Sequence, residues 1–336
     1  MSTRQRPLFL KDRRDTPRVP GGGRKREALV EKSRIAIREG SHSFHAAARL
    51  FDKTTRERAW LLYAWCRRCD DIADNQHMGG ELGDQSNAED RLKSIRLLTR
   101  RALDGLPTAD PAFDAFGLVA AEVGITEQMA EDVIAGFQLD AEDWRPRTEA
   151  DMMRYCYHVA GAVGVMMAVV MGVDPKDTDT LDRANDLGLA FQLSNIARDI
   201  VEDDAAGRCY LPEMWLVEQD IEPGQHTKPH HREELAEMAA RLVDLVEKHE
   251  AAARVGAARL PLRSRWAVLS AARIYGAIGR KVRKRGIEAW NHRVYVPRWE
   301  KAWYGVRGFV SAVINRPHEP DEPIDWGIAD YRPDPA

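Results

Sequence analysis

The sequence predicts an all-α protein folded as one helical domain, on three observations. Ala, Leu, Arg, Glu and Met dominate between residues 27 and 315. Apolar residues recur there with the period of a helix, and the alternating β-branched runs and Asn-Gly turns that mark strands are missing. No linker and no repeat of fixed period interrupts the stretch. The chain has 336 residues, 44% of them apolar and 31% charged. That length can bury a large core without staples, and the composition excludes global disorder and fibres.

The elements follow in order. Residues 1–26 hold Pro7, Pro17, Pro20 and Gly21-Gly22-Gly23 among basic side chains, a composition expected to form a mobile tail. Helices are expected over 27–39 and 43–51, separated by Gly40 and Ser41. The next, 54–76, is capped by Asp52 or by Thr54, with Glu57 completing a capping box in the second case, and stops at Gly79-Gly80. Helix 87–104 stops at Gly105 to Pro107, and 111–123 and 126–140 follow. Helix 149–172 is closed by Gly172 to Pro175, and 177–203 by Gly207 to Pro212. The last three are 231–258, 263–285 and 297–315. Residues 316–336, rich in Pro and acid, read as a second tail.

The net charge of −3 conceals opposed blocks. Residues 1–26 carry nine Lys/Arg against two Asp, and 254–307 carry fourteen against Glu288 and Glu300. Residues 27–253 are left with an excess of eighteen acids. Most of these charges form solvated helix faces. An acidic middle beside a basic block also suits an anion held between cations and metal-bearing carboxylates. Nucleic acid is disfavoured, because the pI is about 6.4 and no nucleic-acid motif is present.

Two helices carry polar ladders. In 54–76, Tyr63, Arg67, Asp70 or Asp71, and Asp74 recur at offsets that share one face. In 177–203, Gln192, Asn195, Asp199 and Asp203 do the same, with Leu189, Leu193, Ile196 and Ile200 roughly opposite. Carboxylates at i,i+4 repel, and Asp is a poor helix former, so each stripe needs compensation. Solvent supplies it at an ordinary acidic helix. Two such stripes, sharing their faces with Asn, Gln, Tyr and Arg, point instead to a hard cation such as Mg²⁺ held with phosphate oxygens.

Competing chemistry is excluded by missing patterns. A di-iron bundle needs Glu-x-x-His on two helices, and the one such string, Glu39 to His42, is broken by Gly40. Cys66-x-x-Cys69 lies mid-helix with no second pair for zinc. Together with Cys156 and Cys209 it is too sparse for a disulfide framework, so the thiols read as reduced and the location as cytoplasmic. No Gly-x-Gly-x-x-Gly or Walker string occurs. No run of eighteen apolar residues is present, and MSTRQRPLFLKDRRD lacks the apolar core of a secretory signal.

The two stripes carry a resemblance. Tyr63-AWCRRCDDIAD-Asn75 and Phe191-QLSNIARDIVED-Asp204 resemble the two Asp-rich motifs of the squalene/phytoene synthases. The likeness extends through Ser41-His-Ser43-Phe44, Arg154-YCYHVAGAVG-Val165, Gly207-RCYLP-Glu213, Tyr275 and Arg293-Val-Tyr-Val. It covers about 30–300, and the stretch from Arg154 to Pro212 looks most like the bacterial phytoene synthases of carotenoid pathways. Asn-Ile-x-Arg-Asp separates these head-to-head synthases from chain-elongating prenyltransferases.

The resemblance implies a class I isoprenoid synthase fold around a central cavity. It implies condensation of two geranylgeranyl diphosphates to phytoene through prephytoene diphosphate, with Mg²⁺, or Mn²⁺ in its place, and no nicotinamide cofactor. It implies catalytic roles for Asp70, Asp74, Asp199, Asp203, Tyr63 and Tyr275, and metal ligands among Asp70, Asp71, Asp74, Asn195, Asp199 and Asp203. Substrate contacts would come from Ser41, Ser43, Phe44, Arg67, Tyr155, Val159, Gly161, Gly164, Gln192, Asn195, Arg198, Arg208 and Arg293. For Arg67 and Arg198 the plainer reading is an ion pair with a neighbouring acid; for Gly161 and Gly164 it is close helix packing. Rival functions are a squalene, dehydrosqualene or hydroxysqualene synthase acting on farnesyl diphosphate, and a non-catalytic assembly factor, which would be expected to lose the aspartates.

An insoluble product calls for peripheral contact with an anionic membrane, and other carotenoid-pathway enzymes are natural partners. Arg280, Lys281, Arg283, Lys284 and Arg285, followed by Trp290, Trp299, Trp303 and Tyr304, form the expected contact. The alternative is that the cations complement a helix dipole and the rings belong to the core.

Overall fold

Helix starts follow the capping side chains. Asp52, Asp110, Thr126, Thr148 and Asp177 each accept a backbone N–H two or three residues on, satisfying a donor that a first turn leaves open. The computed structural model describes residues 17–76, 83, 87–142, 144–316 and 327–332, with 42 and 43 described by backbone alone. Among these the first helices are α1 (Arg26–Gly40), α2 (His42–Ala48), α3 (Lys53–Ala73), α4 (Ala88–Leu103), α5 (Pro111–Val123) and α6 (Glu127–Ala141). Then come α7 (Glu149–Cys156), a π-helical turn Tyr157–Gly161, α8 (Ala162–Val170), α9 (Thr178–Ala205) and α10 (Glu213–Glu218). The chain closes with α11 (Arg232–Ala257), α12 (Leu262–Arg285), α13 (Arg298–Ile314) and α14 (Ile328–Tyr331). No strand occurs among the described residues.

Of the two candidate caps for α3, Asp52 is the one used, accepting the Thr55 N–H at 3.1 Å. Glu57 is drawn away from a capping box by Arg26 of α1. The Gly79-Gly80 stop lies outside the described residues. Helices α10 and α14 are short and were hidden from periodicity by their length.

Helix α9 is central. Its apolar stripe, Leu189, Leu193, Ile196 and Ile200, is 0–4% exposed and packs with α11, α12 and the π turn. Helix α3 packs on α1 and α5. There Trp65 stacks on Phe116 at 4.2 Å and donates its Nε1–H to Thr99. Residues Glu149–Val170 form a helix long and apolar enough to cross a membrane, but 67% of its most apolar window is buried inside the protein. Burial on that scale marks a core helix.

Composition placed the tail boundaries too far in. Val19 donates its N–H to the Gly105 carbonyl at 2.8 Å. Gly21, at φ 75°, is buried against Leu29, and Arg24 pairs at 2.7 Å with Asp114, whose side chain is 1% exposed. At the other end, Tyr331 is 2% exposed and stacks on Tyr157, and Arg332 donates to Asp132 at 2.7 Å. Buried Asp114 and Asp132 need cations, and the ends of the chain supply them; that demand is invisible to local composition. The remainder of both tails lies outside the described residues.

The basic end of α12 is partnered inside the protein. Arg280 pairs with Glu250 at 2.8 Å, Lys281 with Glu300 at 2.6 Å, and Arg283 with Asp244 and Glu247. Arg285 donates to the His292 carbonyl. Four of the five cations expected to meet lipid are thus engaged by the chain itself.

Candidate active site

The first stripe lies along the C-terminal half of α3. Arg67 donates to Asp70 at 2.9 Å and to Asp71 at 2.8 Å. The two aspartates differ in surroundings: the Asp71 side chain is 5% exposed and that of Asp70 is 37% exposed. Asp71 therefore anchors Arg67 from the packed side, while Asp70 faces the open side with Asp74. Burial pushes the Asp70 carboxyl up to about 6, against Arg67 and with the help of Asp74 and Asp71. Burial also raises Asp74, opposed chiefly by Arg208. The Gln76 amide donates to Asp74 at 3.1 Å.

The second stripe lies on α9. Arg198 engages Asp199 with two hydrogen bonds, and Arg293 reaches the same carboxylate at 2.9 Å and Glu202 at 3.7 Å. Asp203, one turn on, has no guanidinium at contact distance among the described residues; burial and the charge of Asp199 push it up to about 6. Gln192 and Asn195 are partly buried. Tyr275 of α12 stacks on Phe191 at 4.0 Å, and burial raises its hydroxyl.

Arg208 joins the stripes. It follows α9 on the turn opened by Gly207, at φ 77°, and its charge lowers Asp74, Asp203 and Asp140 alike. The three carboxylates come from three elements, and Arg208 lines one pocket with Asp203, so the C-terminal ends of the two Asp-rich helices lie near one another. Asp140, at the end of α6, was missed by sequence reasoning. It accepts the hydroxyls of Tyr155 at 3.0 Å and Tyr210 at 3.3 Å, whose rings stack at 4.7 Å. No spacing flagged Asp140, because its partners lie 15 and 70 residues away. Tyr210 stood in the quoted Gly207–Glu213 segment and could have been found there. His226 was also missed. It is 1% exposed beside Asp204 and lines a small pocket with Asp203, Arg208 and Tyr210.

The remaining candidates divide. Phe44 packs on Tyr63 with ring centroids 5.7 Å apart. Gly40 also meets Tyr63, because a Cβ there would strike the phenol oxygen. Ser41 caps α2 by accepting the Phe44 N–H, and the side chain of Ser43 lies outside those described. Val159 packs on Gly136 of α6. Gly161 and Gly164 are turned to α9, where Cβ atoms would strike Asn185 and the Ala184 carbonyl. These two glycines let the helices approach, the packing role that a place beside the pocket can accompany. Arg67 and Arg198 are likewise found in the ion pairs of their plainer reading, and a substrate would have to share them.

The donor set fits a hard cation. It consists of carboxylate oxygens, and Asp70, Asp74 and Asp203 hold their protons more tightly than ordinary carboxyls because burial outweighs the nearby arginines. A divalent ion offers the missing compensation. Among the described residues no group of three acids, histidines or cysteines is placed to hold a metal ion by itself. Asp71 and Asp199 are already committed to arginines.

Residues 37–300 match the sequence profile of the squalene/phytoene synthases. The chain belongs to the squalene/phytoene synthase family. It is 45% identical over 275 residues to a phytoene synthase of Pseudescherichia vulneris, covering 81% of this chain and 88% of that one. It is 46% identical over 279 residues to a 15-cis-phytoene synthase of Enterobacter agglomerans, covering 82% and 94%. Among solved structures, a dehydrosqualene synthase superposes with a TM-score of 0.76 at 24% identity, covering 86% of this chain and 98% of that one. A squalene synthase from Alicyclobacillus acidocaldarius gives 0.70 at 22%, covering 78% and 95%. The all-α isoprenoid synthase fold is therefore the fold of this family member.

Proposed function

We propose that this family member condenses two geranylgeranyl diphosphates head to head to phytoene, through prephytoene diphosphate, releasing diphosphate at each of the two stages. The observation that carries the reading is that Asp74 of the first stripe and Asp203 of the second share Arg208, with Asp70 one turn from Asp74. Relatives at 45–46% identity, named phytoene synthases, support the substrate. Asp70, Asp74 and Asp203 would hold Mg²⁺, with Asn195 and Asp199 beside them. The ion supplies Lewis-acid neutralisation of the leaving diphosphate.

The protein's own groups do the rest. Arg208 beside the two stripes and Arg293 on Asp199 present planar forks suited to phosphate oxygens. Arg67 and Arg198 are held in place by Asp71 and Asp199 and add charge beside the scissile C–O bond. The ring pairs Tyr63–Phe44, Tyr155–Tyr210 and Tyr275–Phe191 offer π faces to an allylic cation and exclude water from it. The three tyrosines of the family motifs, Tyr63, Tyr155 and Tyr275, are kept neutral by burial.

Purified protein incubated with Mg²⁺ and either geranylgeranyl or farnesyl diphosphate, with and without NADPH, tests the reading. Phytoene from the C20 substrate, independent of NADPH and lost in excess chelator, is expected. A C30 hydrocarbon formed in preference would replace this reading with a squalene-type one. Absence of any product would favour a non-catalytic role.

A further inference from the structure

Fifteen large apolar side chains are exposed among the described residues, and eight of them fall within 295–314. Helix α13 accounts for most of that cluster. Its inner face is fixed to α12: Ala312 is fully buried, Gly308 abuts Ser270, Trp266 donates to the Gly305 carbonyl at 2.8 Å, and Arg273 donates to Ser311 at 2.7 Å. Its outer face carries Trp299, Trp303, Val306, Val310, Val313 and Ile314, each 48–70% exposed. With 3.6 residues per turn these positions and Phe309 span an arc of about 140°. No Asp or Glu falls within that arc. Arg298 and Arg307, both exposed, bound it on either side, and Arg316 follows the helix.

We propose that the outer face of α13 is a lipid-binding surface that seats the protein on a membrane leaflet, with its axis in the plane of the interface. An apolar stripe this wide, with indoles at its start and cations on its edges, has the composition of an interfacial helix. The flanking guanidinium groups suit anionic headgroups while their stems lie along the acyl boundary. A second copy of the chain is the poorer occupant. A two-fold contact through this face would set arginine edges together, with no acid on the face to receive them. The proposal is independent of the basic end of α12, whose cations are largely paired internally. It draws part of its sense from the proposed reaction, since a C40 hydrocarbon has no other solvent, but its test does not use activity.

Flotation of the full chain with phosphatidylcholine vesicles, and with vesicles containing one-third phosphatidylglycerol, decides it. Wild type is expected to float with the mixed vesicles and to stay bound in 0.5 M NaCl, because apolar burial is not screened as surface charge is. The double variant Val306→Glu/Val310→Glu should bind at least tenfold more weakly with an unchanged circular dichroism spectrum and unchanged turnover of detergent-dispersed substrate. If that variant misfolds, Trp299→Phe/Trp303→Phe serves instead: quenching of tryptophan fluorescence by brominated lipid should fall relative to wild type. Failure of wild type to float, equal flotation of the glutamate variant, or equal quenching in the phenylalanine variant would overturn the proposal. So would a wild-type dimer in vesicle-free buffer that the glutamate variant dissolves, which would assign the face to a second copy. Membrane binding without phytoene formation would leave this surface standing and remove the catalytic reading, and the converse holds equally.

Discussion

At Asp199 one carboxylate faces two guanidinium groups, and at Arg67 one guanidinium faces two carboxylates. Both arrangements fix long side chains before any substrate arrives, which lowers the entropy lost on binding. Replacing Arg67 or Arg198 by Lys keeps the charge but removes the planar fork. Each variant should lose roughly tenfold to a hundredfold in kcat/KM, or about 1.4–2.7 kcal/mol of transition-state stabilisation, with little change in stability. Steady-state kinetics and thermal melts check this; an unchanged kcat/KM would reduce both arginines to ordinary ion pairs. The titration of Asp70 gives a second test. Its folded-state carboxyl titrates near 6, above the ordinary value near 3.9. The folded chain therefore binds this proton more readily than the unfolded one, and the cost of the bare charge is full above pH 6 and gone near pH 4. Metal-free Asp70→Asn should be inactive yet more stable than wild type at pH 8, by roughly 1 kcal/mol after solvent screening. The difference should vanish by pH 4, as denaturation at the two pH values would show. His226 acts in the opposite sense. Burial lowers its pKa from 6.5, so the unfolded chain takes up the proton first and stability falls below about pH 6.5. His226→Leu should flatten that acid limb.

The polar ladders of α3 and α9 could be read from the sequence because a helix brings i and i+4 together whatever surrounds it. Which of Asp70 and Asp71 faces the open side could not, because that depends on what packs behind α3. Gly161 and Gly164 show the same limit. A small residue is visible in the sequence, but the neighbouring helix that makes it obligatory is not. The approach is reciprocal, since a Cβ on Gly188 of α9 would lie 2.5 Å from the Ala160 carbonyl. Gly161→Ala and Gly188→Ala should each destabilise the fold by about 2–3 kcal/mol through overpacking. A melting temperature within a degree of wild type in either variant would show that the helices can part without cost. Gly40→Ala should act differently. The obstacle there is the Tyr63 hydroxyl, a movable side-chain end, so activity should fall more than stability.

Across the whole molecule, the longest-range contacts were the least legible. Residues 327–332 read as tail because their composition is Pro-rich and acidic, yet Arg332 makes a forked contact with Asp132, whose side chain is 3% exposed. Asp182 accepts the Ile328 N–H at 2.9 Å. The docking depends on charges buried in α6 and α9, elements far away in the chain. Arg332→Ala leaves Asp132 buried without its cation, and should cost about 3 kcal/mol, measurable by urea denaturation; a loss under 0.5 kcal/mol would show that the Tyr157 hydroxyl and the Gln128 amide, which also donate to it, satisfy the carboxylate.

The same clasp imposes an order of events on the ribosome. Asp132 is synthesised 200 residues before Arg332, an interval of about 10–40 s at ordinary elongation rates of about 5–20 residues per second. Throughout it, α6 carries a carboxylate destined for burial whose counter-ion does not yet exist. The nascent helices can associate, but the seat between α6 and α9 closes only after residues 327–332 have been synthesised. A chain halted before residue 327 would keep that seat open, and so remain distinguishable to quality-control proteases from one that carries residues 327–332.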